Sequence, residues 1–387
     1  MAANAKVRRI CIWGTSIKKI ADEAQLLAIA RHLQHQFPDA KLTMISRYGQ
    51  RITDTLAANG ITCQTVRVTR VPQVVAAIAR SDGLIIDGGP FYETAFQTLQ
   101  CVFMVLMAKI CRRTVFAHAV SVFPFKTWWG RWVYRRVFNG LDAISVRERV
   151  GLDILADLGV RTPVTLTTDP RFTLEPAAAV EVDRVLAGEG VAAGEPLFAL
   201  TTRYLHPDVP AWVKRSHGYD DRHVLRSNQA LARLADDLSE QGKLVLIPMH
   251  PELAEDQATA DAIHRHMKHP ERLRVLGRRY SPQVVIGIIA RARLLVAGRL
   301  GSALFGTVTG TPVIGIAYES RMTDHLDRFG LGRYVFDWKD LDPDLLLERT
   351  RELLARDMGQ YRAELARIRQ AATVDAGFLQ QSLRQAA

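Results

Sequence analysis

Three observations predict an α/β chain built from two Rossmann-like domains. Short apolar runs alternate with helical periods, the pattern breaks once between Pro176 and Pro196, and it then restarts. Strands alternating with helices imply βαβ units and a parallel sheet. Domains usually hold about 100–200 residues, so a chain of 387 divides naturally into two. Each is large enough to bury a core without staples.

The first domain is expected over residues 1–180. Val7–Trp13 (VRRICIW) reads as a strand, followed by a loop and an amphipathic helix from about Asp22 to Gln36. Lys41–Ser46 reads as a strand, Gln50–Ala58 as a helix, Thr62–Val68 as a strand and Val71–Arg80 as a helix. Gly83–Ile86 (GLII) is a strand that stops at Asp87-Gly88-Gly89-Pro90. Helix 94–111, strand Thr114–Ala117, helix 127–139, strand Ala143–Val146, helix 148–158 and strand Val164–Thr167 continue the alternation.

Residues 174–195, rich in Ala, Gly and Glu, read as a linker or interdomain helix. The second domain is expected over 190–340. It opens with strand Leu197–Thr201, a polar loop 203–222, helix 224–240 and strand Leu244–Ile247. Helix 253–268, strand Leu273–Val275, helix 282–291, strand Leu294–Ala297, helix 301–309 and strand Val313–Ile316 follow. The tail, 341–387, reads as helices. Two Rossmann-like domains facing a cleft, with trailing helices, make a GT-B-like layout. Such sheets bind ligands at the C-terminal ends of their strands.

Composition narrows the partners. The net charge of +11 fits an anionic small substrate, an anionic membrane surface or nucleic acid. Nucleic acid ranks last, because the basic residues are dispersed and no RRM, zinc-finger or KH pattern accompanies them. The four cysteines show no C-x-x-C spacing, which points to free thiols in a reducing compartment. MAANAKVRRICIWGTS lacks the apolar core of a secretory signal. The longest apolar stretch, Cys101–Ala108 with Ile110 and Cys111, is too short to span a bilayer and reads as a buried helix. A cytoplasmic protein is the expectation.

Several segments, in order, resemble the polysaccharide pyruvyl transferase family. They are Ala21-Asp22-Glu23-Ala24, the run Asp82–Gly89 (DGLIIDGG), Ser145-Val146-Arg147-Glu148, Thr168-Asp169-Pro170, Thr201-Thr202-Arg203 and Ile247-Pro248-Met249-His250. The most specific are Gly298-Arg299-Leu300-x-Ser302 and the run Gly310–Tyr318 (GTPVIGIAY). The resemblance implies transfer of the carbon skeleton of phosphoenolpyruvate to sugar hydroxyls as a ketal, in a GT-B-like cleft. The 1–180 domain would lie on the acceptor side and 190–340 on the donor side. Arg203 and Arg299 would hold the donor's anionic groups, since guanidinium grips forked anions bidentately. Leu300, Gly301 and Ser302 would line the donor site. Arg147 would contact substrate. So would Asp22 and Glu23, as acceptor ligands or base, unless they only complement the helix dipole. Gly88 and Gly89 would do so unless they only make a strand-to-helix turn, and His118 unless it is a satisfied core histidine. No metal or cofactor is implied, with phosphoenolpyruvate as co-substrate and a carbohydrate or lipid-linked sugar as acceptor.

The chain departs from the family pattern at telling places. The family's histidine after Arg-Leu, its expected general acid, is replaced by Gly301. Lys19 and Ala21 stand where Asn and Gly are usual, and Ala117-His118-Ala119 replaces a glycine-bearing stretch. Added methyl groups there would reshape a site that glycine leaves open. Three readings follow: His250, foremost, or His118 or His206 supplies the proton; the chemistry uses another donor; or the chain binds without turnover. A nucleotide-sugar glycosyltransferase of the same fold and a silent scaffold in polysaccharide assembly are the alternatives.

The other histidines have plainer readings. His217 and His223 belong to or adjoin the polar loop 203–222, either solvated or part of a lid. His264 and His266 point to different helix faces, which argues against a metal site with His269. The segment 128–136 (WWGRWVYRR) interleaves tryptophan with arginine. It suits an anionic lipid headgroup region, hence a peripheral position at the inner membrane face, or else core packing with solvated arginines.

Overall fold

The computed structural model describes residues 7–14, 17, 19–203, 218–250 and 254–378, the side chains of 254 and 255 excepted. His206 and His217 lie outside the described residues. The chain divides into two compact units. One comprises Met1–Lys18, Asp22–Thr173 and Ile368–Ala387, the other Lys19–Ala21 and Leu174–Arg367.

In the first unit the elements run β1 (Arg9–Trp13), α1 (Ile20–Gln36), β2 (Lys41–Ser46), α2 (Gly49–Ala57), β3 (Cys63–Arg67), α3 (Val71–Arg80) and β4 (Gly83–Asp87). Then come α4 (Ala95–Ile110), β5 (Thr114–Val120), α5 (Trp128–Asn139), β6 (Ala143–Val146), α6 (Arg149–Asp157) and β7 (Val164–Leu166). The seven strands pair in the order β3-β2-β1-β4-β5-β6-β7, and every pairing is parallel. β4 is buried along its whole length, as a strand covered by helices on both faces must be. Strand order reverses between β1 and β4, the place where such sheets leave a crevice.

The second unit repeats the plan. Its elements are α7 (Ala179–Gly188), β8 (Leu197–Thr201), α8 (Asp221–Ser239), β9 (Lys243–Leu246), α9 (Ala254–His264), β10 (Leu273–Val275) and α10 (Pro282–Arg291). β11 (Ala292–Ala297), α11 (Leu300–Thr309), β12 (Val313–Ala317), α12 (Ser320–Asp327), β13 (Val335–Asp337), α13 (Pro343–Ala355) and α14 (Gly359–Asp375) follow, the last helix belonging to the first unit from Ile368 onward. The sheet order is β10-β9-β8-β11-β12-β13, with the reversal between β8 and β11.

Some expectations need correction. α12 and β13 have no counterpart in the sequence reading. Only Met322 and Leu326 of α12 are buried, too few to show a period, and β13 has three residues. The helix read as buried around Cys101–Ile110 is buried on one side only: Leu99, Leu106 and Ile110 of α4 are exposed. His223 is part of neither loop nor lid. It is the third residue of α8, where its Nδ1 lies 2.8 Å from Oδ1 of the N-cap Asp220, a reciprocal cap on free backbone donors. Cys11, Cys63, Cys101 and Cys111 are free thiols, and burial pushes the first three up to about 12. No helix of the described residues is long and apolar enough to cross a membrane.

Candidate functional site

Each unit gathers polar side chains at its own strand-order reversal. In the second unit β8 delivers Thr202 and Arg203 just past its end, while β11 ends in Gly298 and Arg299. Arg299 is the N-cap of α11 and is 7% exposed. Its Nε donates to the Thr202 carbonyl at 2.9 Å, and its Nη2 donates to Asp256 Oδ1 at 2.5 Å. Asp256, 1% exposed, accepts the backbone N–H of His250 on its other oxygen at 2.8 Å. One buried carboxylate from α9 thus fixes both Arg299 and the backbone of His250. Among the described residues Nη1 of Arg299 makes no hydrogen bond.

Ser302 stiffens the same turn. Its Oγ lies 2.6 Å from Thr201 Oγ1 and donates to the Arg299 carbonyl at 2.8 Å. Arg203 lies with its guanidinium carbon 3.9 Å from the centre of the Tyr318 ring, and burial raises the Tyr318 hydroxyl to about 12. Leu300 and Gly301 open α11, where backbone N–H groups and the helix dipole favour an anion. Arg203, Arg299, Leu300, Gly301, Ser302 and His250 therefore belong to one region.

Gly301 has a neighbour that bears on its identity. A Cβ added there would lie 2.5 Å from the Cβ of Ala21, one of the three residues that cluster with the second unit. The N–H of Ile20 donates to the Met249 carbonyl at 3.2 Å, which pins this short stretch in place.

In the first unit the polar network surrounds Asp87, the last residue of β4. Gln25 Nε2 donates to Asp87 Oδ1 at 2.7 Å, and Arg147 Nη1 donates in turn to Gln25 Oε1. Arg147 Nε donates to Glu148 Oε1 at 3.2 Å and lies 3.6 Å from Asp169 Oδ2. Arg171 donates to Asp169 Oδ2 at 2.6 Å. Two separated sequence motifs, around Arg147 and Asp169, are therefore the two sides of one ion-pair cluster. Burial raises Asp169, but Arg171 and Arg147 outweigh it and hold the carboxyl far below the usual range.

Other expected residues take varied positions. Gly88 and Gly89 follow Asp87 with φ of 79° and 104°. A Cβ on Gly89 would lie 2.6 Å from the Ser121 carbonyl oxygen, so only glycine lets this turn approach β5. His118 is buried in β5, with Nδ1 3.2 Å from Ser145 Oγ. Burial and the nearby His32 lower it to about 3, so it stays neutral near pH 7. Next to it Ala119 has φ of 46°, a left-handed backbone that costs a non-glycine residue about 1–2 kcal/mol. Glu23 accepts from Thr55 Oγ1 at 2.8 Å. Asp22 lies on the first turn of α1 and raises Asp87 by its charge.

Asp87 is the group the sequence reading passed over. Burial lifts its carboxyl from 3.8 to about 7, against the pull of Gln25 and Arg147. Perturbed carboxyls at a strand-end crevice are where acid–base chemistry is usually carried. The sign of its effect on stability is testable. Between about pH 4 and about pH 7 the folded state keeps a proton that the unfolded state releases, so this group's contribution falls as pH rises. His32 and His118, lowered to about 4 and about 3, act in the opposite sense below their unfolded value near 6.5. The diagnostic is therefore a difference: Asp87→Asn should gain stability relative to the parent between about pH 5 and about pH 8. Urea midpoints at both values measure it, and a pH-independent difference would mean that Asp87 is ionised in the folded state throughout.

Comparison with known proteins places this geometry. The family described as Polysaccharide pyruvyl transferase matches residues 22–320. The Amylovoran biosynthesis protein AmsJ of Erwinia amylovora is 20% identical over 279 residues, which cover 70% of this chain and 64% of that protein. The match thus spans less than two thirds of that relative's length. Among solved structures, the UDP-GlcNAc 2-epimerase of Neisseria meningitidis bound to UDP-GlcNAc superposes with a TM-score of 0.61 at 10% identity, covering 97% of this chain and 99% of that one. The ADP-heptose lps heptosyltransferase II of E. coli gives 0.54 at 15%, covering 89% and 98%. At such identities the likeness is one of fold: two parallel sheets with helices, in the GT-B arrangement of elements.

Proposed function

The chain belongs to the polysaccharide pyruvyl transferase family, and on that premise we propose that it moves a pyruvyl group from phosphoenolpyruvate to two hydroxyls of a glycan or lipid-linked sugar. In this reaction the enol methylene of the donor takes a proton, the two sugar oxygens bond to its central carbon, and inorganic phosphate leaves. One hydroxyl proton balances the new methyl group and the other leaves with phosphate.

The observation that carries the reading is the cation pair at the β8/β11 reversal. Arg203 and Arg299 follow adjacent parallel strands, and Arg299 holds the N-cap position of α11; in this reading the two guanidinium groups and the helix N–H groups serve one anion. Asp256 orients Arg299 through its buried ion pair. His250, fixed at its backbone by the same carboxylate, is our assignment for the proton donor in place of the family's histidine. In the first unit, the acceptor side of this reading, Asp87 suits the general base better than Asp22 or Glu23. Its carboxyl titrates near neutrality, where a base both accepts and returns protons efficiently. The reading places the protein in exopolysaccharide biosynthesis, as a cytoplasmic enzyme that needs no cofactor.

Calorimetric titration with phosphoenolpyruvate, followed by phosphate release with a panel of sugar diols, tests the proposal. Binding of phosphoenolpyruvate and acceptor-dependent phosphate release are expected. Binding of uridine or guanosine diphosphate instead would sink it in favour of a nucleotide-sugar transferase. Neither ligand binding would leave a scaffold role.

A further inference from the structure

Helix α4 has an unusual outer face. Phe96, Leu99, Phe103, Leu106 and Ile110 recur every three or four residues, which aligns them along one stripe of the helix. Cys101, Met104 and Ala108 occupy the opposite, buried side. On the stripe Leu99 is 68% exposed, Ile110 64% and Leu106 51%. A helix at a water-facing surface normally turns charged residues outward, yet the only charged residue of α4 is Lys109.

Helix α5 lies beside it. Glu93, just before α4, accepts the backbone N–H groups of Lys126 and Thr127, just before α5, each at 2.8 Å. At the other end Lys109 pairs with Asp142, just past α5, at 2.8 Å. The two helices therefore run side by side in one direction. α5 turns Trp128 and Trp132 outward, 80% and 54% exposed, and the Arg136 guanidinium carbon sits 3.6 Å from the centre of the Trp132 ring. Trp132 also lines an open groove of about 1060 Å³, together with Arg131, Arg135, Arg136 and Arg161 and with Asp157 as its acid. Four guanidinium groups against one carboxylate leave the groove strongly positive.

We propose that the outer faces of α4 and α5 dock this protein on an anionic lipid surface, with the α4 stripe and both tryptophans in the headgroup–acyl boundary and the arginine groove on headgroup phosphates. The pairing of features selects this occupant. Tryptophan favours the boundary between apolar and wet phases, and arginine can bury its stem while its charge stays among phosphates. A contiguous apolar stripe beside a polybasic groove supplies the two attractions that peripheral binding needs. With no helix of the described residues able to span a bilayer, the contact is one of surface docking. The inference stands on the first unit alone and does not depend on the donor or the transfer reaction.

Co-sedimentation of the full chain with phosphatidylcholine vesicles, with and without phosphatidylglycerol, tests it. Binding to the anionic vesicles should exceed binding to neutral ones by more than tenfold and weaken with salt. Trp128→Ser with Trp132→Ser should reduce it by at least about tenfold. Arg135→Gln with Arg136→Gln should reduce it by roughly fivefold per charge removed. The arginine pair keeps the test valid if a thermal melt shows that the tryptophan pair unfolds the chain. Equal binding to both vesicle types, or binding unchanged in folded variants, overturns the proposal. So does a concentration-dependent dimer in sedimentation velocity that the tryptophan pair dissolves, because the face would then belong to a second copy.

Discussion

Replacing Arg299 with alanine is expected to remove detectable phosphoenolpyruvate binding and to lower kcat/KM by about 10²–10⁴-fold, the worth of two charge-assisted hydrogen bonds at about 1.5–3 kcal/mol each. The same change strips Asp256, 1% exposed, of its ion-pair partner. An uncompensated buried carboxylate costs about 3–5 kcal/mol, a large share of a typical folding free energy of about 5–15 kcal/mol. Loss of activity in the alanine variant therefore mixes a site effect with a stability effect. Arg299→Lys separates them. Lysine keeps a positive charge for Asp256 but offers no planar fork for a phosphate or carboxylate. The lysine variant should melt close to the parent and still lose about 10²-fold in kcat/KM. Unchanged phosphoenolpyruvate affinity in a folded Arg299→Lys protein would move the anion site elsewhere.

The contrast between Arg299 and its partner shows what a sequence can carry. Arg203 and Arg299 are legible because each follows an apolar strand directly, and the end of a parallel strand is a privileged address whatever the rest of the chain does. Asp256 is not. It lies in α9, in a run rich in acids and alanine that reads as an ordinary solvated helix. Only the tertiary arrangement, 43 residues from Arg299, makes it the most buried acid of its unit's site. Asp87 left a fainter trace: an acid closing a fully apolar strand, just before two glycines. The elements themselves were legible for a simpler reason. Strands covered on both faces must be apolar along their interior, as in VIGIA and in the GLII that Asp87 closes, and no alternative element of that length buries them as well. Boundaries shifted by up to four residues, as where helix 253–268 ends at His264 and strand Thr114–Ala117 runs on to Val120, because caps and local turns rather than the apolar period set them. The outer stripe of α4 was hidden by the same logic, since an apolar residue reads as core until its exposure is known.

The departures at Gly301 and Ala21 are two sides of one contact, and this yields the second large effect. Gly301 has ordinary helical backbone, and among the described residues a Cβ added there meets the Cβ of Ala21 at 2.5 Å. Gly301→His alone should force that contact apart and destabilise the fold by about 1–3 kcal/mol, offset by up to about 1 kcal/mol of helix propensity. Ala21→Gly alone opens space and should cost about 0.5–1 kcal/mol, as glycine does in a helix. Together the two changes should be more stable than their separate effects predict, a coupling that thermal or urea melts of the four proteins would measure as a double-mutant cycle. Activity should follow the same pattern. If turnover is limited by proton delivery to the donor's methylene, the double variant should gain about 10²-fold or more in kcat with phosphoenolpyruvate, while Gly301→His alone gains less. A stable double variant with no gain would mean that proton transfer already has an adequate donor in this chain. His250 would then be tested next, since its loss should cost the parent about 10²–10⁴-fold and the double variant much less.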